Sequence, residues 1–366
     1  MFSTDILVIG SGPAGLGAAI EAARLGAKVL LVDENERAGG QLYKQIHKFF
    51  GSKEHYAGMR GFQIADMLLA EAIELGVDVR LDTRALGIMD NGEFSLLQKD
   101  TLTAVQAKKI ILCTGAKENA LSFPGWTLPG VMTAGAAQTF ANIHGILPGK
   151  RILMVGSGNV GLIVSYQLMQ AGGEIAALID VLSKTSGYQV HAGKIQRAGV
   201  PIYLTHTVVA ANGNGRVEEA IIAEVDAQFQ PIVGTEKSIE VDTILLAVGL
   251  TPRIDLAGMC GCKTIFAGPL GGIMPIHDCY MLSSKENIYV CGDLAGVEEA
   301  NTALEEGRLA GIHAALSLSY TNSLAANKLS DLQQSLSALR SGEHAAKRFV
   351  CKEKIMQEGD ALHVRT

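Results

Sequence analysis

Two glycine-rich stretches carry the residue types with the clearest chemistry. They are "DILVIGSGPAGLGAAIEAARLGAKVLLVDE" at 5–34 and "KRILMVGSGNVGLIVSYQLMQAGGEIAALID" at 150–180. In each, G-x-G-x-x-G follows an apolar run predicted as a strand and precedes a helical pattern, the context a dinucleotide fingerprint requires. Gly10 permits a tight turn, Gly12 leaves room for a pyrophosphate against the backbone, and Gly15 lets helix and strand pack closely. The helix N-terminus then faces the phosphates. Asp33, about 20 residues on, is placed to accept hydrogen bonds from a ribose 2′-hydroxyl. Gly156, Gly158, Gly161 and Asp180 repeat the plan. An acid there would repel a 2′-phosphate, which favours NAD or another adenine nucleotide over NADP.

The elements that must position these residues read as α/β. A strand at Ile6 to Ile9, a helix from Ala14 to Leu25 and a strand at Lys28 to Val32 begin the first unit. A helical pattern from Phe62 to Leu75 and short alternating runs between Ala85 and Gln106, turning at Asn91-Gly92, follow. "KKIILCTGA" returns a buried strand, and "FPGWTLPGVMTAGAAQTF" looks like a crossover into a second βαβ unit beginning at Arg151. "NIYVCGDLAGVEEANTALEEGRLAG" is a strand, a turn carrying Asp293 and a helix from about Glu298; it rejoins the first domain if that domain is discontinuous. The expected division is 1–118 with 265–320, then 119–264, then a C-terminal helix and tail at 321–366. In that helix Leu329, Leu332, Leu336 and Leu339 form a stripe that packs on its own domain or offers a surface to a partner.

Composition excludes several classes. Hydrophobic residues at 48% and charged ones at 19% suit buried parallel strands and glycine turns. A formal charge of −6 without a basic stretch argues against nucleic acid. No run is apolar and long enough for a membrane span, and no arginine-rich leader precedes Asp5, so a cytoplasmic protein is expected. Cys113, Cys260, Cys262, Cys279, Cys291 and Cys351 form no C-x-x-C pair and read as reduced thiols. An iron–sulfur set from Cys260, Cys262, Cys279 and Cys291 is the lesser alternative, because Cys291 stands at a strand end beside Gly292-Asp293. No metal site is expected.

The order of first fingerprint, "GGQ", "CTGA", second fingerprint, "LLAVGLTP" and "IYVCGDLAG" resembles the pyridine nucleotide–disulfide oxidoreductases, flavoproteins with two dinucleotide-binding domains. The resemblance covers about residues 5 to 315. It implies two Rossmann-like domains with parallel sheets and antiparallel crossover strands, the first domain discontinuous. It also implies FAD held by Gly10, Gly12, Pro13, Ala14, Gly15, Asp33, Glu34, Gly40, Gln41, Thr114, Gly115, Gly292 and Asp293. A second nucleotide, NAD(H) or another adenine nucleotide, falls to Gly156, Gly158, Asn159, Val160, Gly161 and Asp180. A plain helix N-cap is the alternative for Asp293. The absence of a redox C-x-x-C disfavours thioredoxin or glutathione reductase activity. Ile163 stands where active NADH sites of these flavoproteins often have Glu.

The stretch from Phe123 to Phe140 is further similar to the FAD-containing alpha subunits of heteromeric amine and amino-acid dehydrogenases, the proline and hydroxyproline dehydrogenase, sarcosine oxidase, opine oxidase and hydrogen cyanide synthase group. That resemblance implies an electron-transfer subunit working beside a second flavoprotein that oxidises the amine. With Cys351 alone following Cys291, a [2Fe–2S] cluster is expected only if a separate subunit holds it. The alternative is a free-standing NADH-dependent flavin reductase or oxidase, and a third reading is a scaffold that binds nucleotide without turnover. Hydride transfer between nicotinamide and flavin needs alignment rather than an acid or base, so Lys44, His47, His55 and His144 are not nominated as catalytic.

Overall fold

The computed structural model describes residues 2–49, 51–89, 91–342 and 345–363. The chain forms two compact units, Met1–Lys117 with Thr251–Thr366, and Glu118–Leu250. The boundaries differ from expectation. Residues 251–264 belong to the first unit because Ala257, Cys260 and Cys262 are buried in its core. The C-terminal segment from 321 joins the same unit, its positions 343, 344 and 364–366 lying outside the described residues.

In the first unit, strands Asp78–Arg80, Val29–Val32, Phe2–Ile9 and Thr101–Leu112 lie side by side and parallel, and Ile288–Val290 adds to the far edge of Thr101–Leu112. Antiparallel strands Thr83–Ile88 and Phe94–Gln98 extend from the first half of Thr101–Leu112. The second half of strand Phe2–Ile9, from Ile6, and all of Val29–Val32 are continuous buried apolar runs, as parallel strands covered by helices require. The second unit repeats the plan with five parallel strands in the order Ile202–Leu204, Glu174–Asp180, Arg151–Val155, Thr243–Leu246 and Val131–Thr133. Three antiparallel strands, His206–Asn212, Glu219–Glu224 and Lys237–Glu240, complete it. Among the described residues no helix is long and apolar enough to cross a membrane.

What places the first glycine turn is a helix crossing built on small residues. Helix Pro13–Arg24 lies so close to helix Ala300–Ser317 that a Cβ on Gly307 would fall 1.9 Å from the Ala14 carbonyl oxygen. One on Gly311 would fall 2.2 Å from that of Ala18. The striped helix Ala325–Arg340 packs in turn on the same unit, with Leu332 and Leu336 buried and Leu329 half-buried against the core. Three of the four stripe leucines are thereby used inside the chain, packed on the core of its own unit.

Gly307→Ala should destabilise the protein by about 1–3 kcal/mol or more, since backbone rather than a flexible side chain fills the space. Urea unfolding checks this, and an unchanged midpoint would show that the crossing tolerates a methyl group.

Candidate functional site

The first glycine turn is constrained by backbone. A Cβ on Gly10, at φ +102°, would sit 2.3 Å from the Cys113 carbonyl oxygen, and one on Gly15 would sit 1.7 Å from that of Gly10. Gly12 is different: nothing lies within 4 Å of where its Cβ would be. That open side, at the N-cap of helix Pro13–Arg24, is a cradle that any side chain would fill. Gly40 stands on it, its absent Cβ 2.9 Å from the Gly12 Cα. The Gly39 N–H donates to the Ser11 carbonyl at 2.8 Å.

Asp33 holds this turn from beneath. Its Oδ2 accepts from the Ser11 N–H at 2.6 Å and the Ser11 hydroxyl at 2.7 Å. Its Oδ1 accepts from the Asn35 N–H at 2.9 Å and the Asn35 side-chain amide at 2.8 Å. These four bonds engage both oxygens of a buried carboxylate and make Asp33 a latch for the turn. The more exposed Glu34 follows it, paired with Arg253 at 3.0 Å and Arg84 at 3.3 Å. Arg253 also joins the turn after Thr101–Leu112. The Thr114 hydroxyl donates to its carbonyl at 2.8 Å, and its N–H donates to the Gly115 carbonyl at 2.9 Å. Gln41 is exposed beside Gly40.

The Gly292-Asp293 turn arrives from the far end of the chain. At φ +68°, Gly292 lies with its absent Cβ 2.9 Å from the Ala14 Cβ. Its N–H donates to the buried Glu306 carboxylate at 2.9 Å. Glu306 also takes Arg340 at 2.5 Å and Lys352 at 2.7 Å, both buried. Arg340 reaches on to Glu298, and the Lys352 ammonium donates to the Ala295 carbonyl at 2.8 Å. The two C-terminal helices, Ala325–Arg340 and Ala346–His363, thus brace the turn. Burial raises the Asp293 carboxyl to about 7; a backbone hydrogen bond from Glu298 opposes the shift, and Glu306, Glu299 and Glu298 add to it.

The second unit copies the latch. Asp180 Oδ2 accepts from the Ser157 N–H at 2.7 Å and the Ser157 hydroxyl at 2.5 Å, and Oδ1 accepts from the Leu182 N–H at 2.9 Å. Gly156 meets the Ala247 carbonyl as Gly10 meets that of Cys113, and Gly161 packs on Gly156. Gly187 closes on Gly158 and Asn159, the Asn159 side chain accepts from the Tyr188 N–H at 2.8 Å, and Val160 is exposed. Because Asp180 is buried and turned to Ser157, the like-charge argument against a 2′-phosphate loses its residue. Val181 occupies the place of Glu34.

The remaining candidates are engaged elsewhere or lie apart. His55 sits between the Ser52 hydroxyl at 2.8 Å and Glu305 at 3.4 Å, and His47 stacks on Phe49. Cys260 and Cys262 belong to the core, while Cys113 and Cys291 meet at 3.2 Å between sulfurs. All six cysteines are free thiols, as expected, but Cys113 and Cys291, 178 residues apart in sequence, are adjacent in space. Among the described residues no three His, Cys, Asp or Glu side chains converge to hold a metal. Sequence reasoning missed Ser11, Ser157, Arg253, Glu306, Arg340 and Lys352. Only the serines left a signal, the shared G-S-G of the two fingerprints.

Two glycine cradles on helix N-termini, one joined by a Gly-Asp turn, define a dinucleotide-binding oxidoreductase class. The chain belongs to the pyridine nucleotide-disulphide oxidoreductase family, whose model matches residues 4–307. The family binds FAD and typically NAD(P). The chain is 30% identical to the A subunit of opine oxidase from Agrobacterium tumefaciens (strain Ach5) over 94% of its length and 70% of the relative's. It is 28% identical to the HcnB subunit of hydrogen cyanide synthase from Pseudomonas aeruginosa, over 84% of this chain and 69% of that one. The alpha subunit of sarcosine oxidase from Corynebacterium sp. (strain P-1) is also 28% identical, over 85% of this chain but only 32% of the relative. In fold it is similar to L-proline dehydrogenase from P. horikoshii, with TM-score 0.68 at 24% identity over 90% of this chain and 59% of that one. Thioredoxin reductase of T. acidophilum gives TM-score 0.70 at 21% identity over 88% of this chain and all of that one.

Asp33→Asn should destabilise the apoprotein, by about 1.5–3 kcal/mol for each charged hydrogen bond lost, in proportion to its role as a latch. Glu34→Gln should leave stability nearly unchanged. Thermal melts of the two apo variants separate these roles, and an unaltered Asp33→Asn melt would return Asp33 to the ligand side. Asp293 adds a pH dependence. Its native carboxyl keeps a proton from the ordinary aspartate value of 3.8 up to about 7, whereas the unfolded one has lost it. The native state therefore binds more protons in that window, and stability falls as pH rises through it. Asp293→Asn should flatten this fall in the apoprotein, and parallel pH profiles of the two proteins would contradict it.

Proposed function

We propose that the first unit binds one FAD and that the chain is the electron-transfer subunit of a heteromeric amine or amino-acid dehydrogenase. The observation that carries the FAD reading is the convergence of Gly12, Gly40 and Gly292 on the N-terminus of helix Pro13–Arg24. A side chain at Gly12 would fill the open cradle, one at Gly40 would meet the Gly12 backbone, and one at Gly292 would meet the Ala14 side chain. The Gly12 turn would hold the pyrophosphate, because the helix N–H groups and the helix dipole there favour negative charge. Asp293 would hold the ribityl chain, and Glu34, held by Arg253 and Arg84, would hold the ribose. FAD, when bound, supplies the two-electron chemistry, and the chain's own residues bind, orient and shield it. No side chain is assigned as acid or base. The Gly158 cradle of the second unit takes an adenine nucleotide.

Relatives named as subunits of opine oxidase, hydrogen cyanide synthase and sarcosine oxidase support a division of labour. The amine would be oxidised on a partner flavoprotein, and this chain would pass the electrons onward. In anaerobic mixing, the purified yellow chain should carry about one FAD and keep its absorbance with amine alone. It should bleach when the amine-oxidising subunit of its source is added. Failure to take up FAD overturns the first part of the proposal. Rapid amine oxidation by the chain alone overturns the second, and bleaching by NADH alone favours a free-standing reductase.

A further inference from the structure

Cys113 follows strand Thr101–Leu112 and Cys291 follows Ile288–Val290, two strands paired in parallel with Leu112 opposite Val290. The next residue on each strand is the cysteine, and the Cys291 N–H donates to the Leu112 carbonyl at 3.1 Å. Neighbouring strands run about 4.8 Å apart, inside the Cα separation of roughly 4.4–6.8 Å that a disulfide spans. The sulfurs already stand 3.2 Å apart. Closing to a bond length of about 2.05 Å therefore needs side-chain rotation and a small approach of two strand ends, not a rearrangement.

From this geometry we propose that Cys113 and Cys291 are a reversible disulfide site, oxidised by peroxide. The two thiols are not equivalent. Cys113 is 8% exposed and Cys291 is fully enclosed, so Cys113 meets the oxidant first. The hydrogen bond shared with Cys113, burial and the nearby Glu306 push the Cys291 thiol up, opposed by Lys352, so Cys291 stays protonated and acts second, as the slower resolving thiol. Hydrogen peroxide transfers one oxygen to the Cys113 sulfur, giving a sulfenic acid and one water. The Cys291 sulfur then attacks it, the S–O bond breaks, and the oxygen leaves as a second water carrying the Cys291 proton. Two thiols lose two electrons and two hydrogens, and one peroxide becomes two waters. A dithiol reductant reverses the process by exchange.

The pair sits between the two halves of the flavin cradle. The Cys113 carbonyl abuts Gly10, and Cys291 immediately precedes Gly292, whose N–H is held by Glu306. Drawing the sulfurs together moves both turns, so oxidation lowers FAD retention. This coupling rests on the FAD reading above, whereas formation of the bond does not.

The test treats the full chain with hydrogen peroxide, blocks free thiols under denaturing conditions and maps the peptides. The count of six free thiols should fall by two, with a Cys113–Cys291 linked peptide, a mass loss of about 2 Da and recovery with dithiothreitol. Cys291→Ala should instead leave a sulfenic acid on Cys113 that dimedone traps. Six free thiols after treatment, a link confined to Cys260 and Cys262, or Cys113 driven to sulfinic acid with Cys291 untouched would each overturn the proposal. FAD release is read separately from the oxidised wild-type protein. A mapped disulfide with unchanged release would remove the coupling and leave the site.

Discussion

The buried carboxylate of Glu306 is the contact on which the first unit most depends. It receives the Gly292 N–H, the Arg340 guanidinium and the Lys352 ammonium in a region closed to water. An isolated charge there would be strongly destabilising, and so would either cation without it. Glu298 completes the balance by taking the other side of Arg340. Because these partners come from the Gly-Asp turn, helix Ala300–Ser317 and both C-terminal helices, the network joins otherwise separate segments into one floor beneath the cradle. Asp293, buried beside this network, holds its proton to about 7, chiefly through burial and then through the neighbouring carboxylates of Glu306, Glu299 and Glu298.

Above that floor the first unit meets a local problem that the second unit solves in the same way. A G-x-G-x-x-G turn exposes backbone N–H groups toward a ligand, and something must keep the turn from relaxing. In both units a serine between the first two glycines is bound twice by the acid at the end of the second strand. The acid works from the protein side of the turn, and the glycines face the ligand side. The units part at the strand end that meets the first glycine. There the first unit has Cys113 opposite Cys291, and the second has Ala247.

That difference bears on how a member of a disulphide oxidoreductase family manages without the C-x-x-C of its thiol-relay relatives. The chain keeps the fold and both cradles, so two-electron chemistry at a flavin remains open to it. Asp33 and Glu306 hold the backbone of the two turns, and His55 is engaged by the Ser52 and Glu305 side chains. A site built this way has its glycine turns held from the protein side and its cradle open at Gly12.

Much of the architecture was legible in the sequence. The apolar runs with their glycine turns located the βαβ units, and helix Pro13–Arg24 and strand Val29–Val32 lie within a residue of where the pattern put them. Periodicity and turn chemistry are local, and local rules reach that far. The return of the chain to its first unit followed from "IYVCGDLAG", but the boundary at Thr251 did not, because it depends on which core Ala257, Cys260 and Cys262 enter. The sequence by itself also determined that Asp33 and Asp180 stand beside their glycine turns. Only the tertiary structure decided which way their oxygens point, because orientation depends on Ser11 and Ser157 competing with a ligand for the same lone pairs. Likewise, six scattered cysteines read as unpaired thiols until strand pairing set Cys113 against Cys291. No spacing rule connects residues whose proximity is created by a parallel register, and that is why the thiol pair and the Glu306 network became visible only in three dimensions.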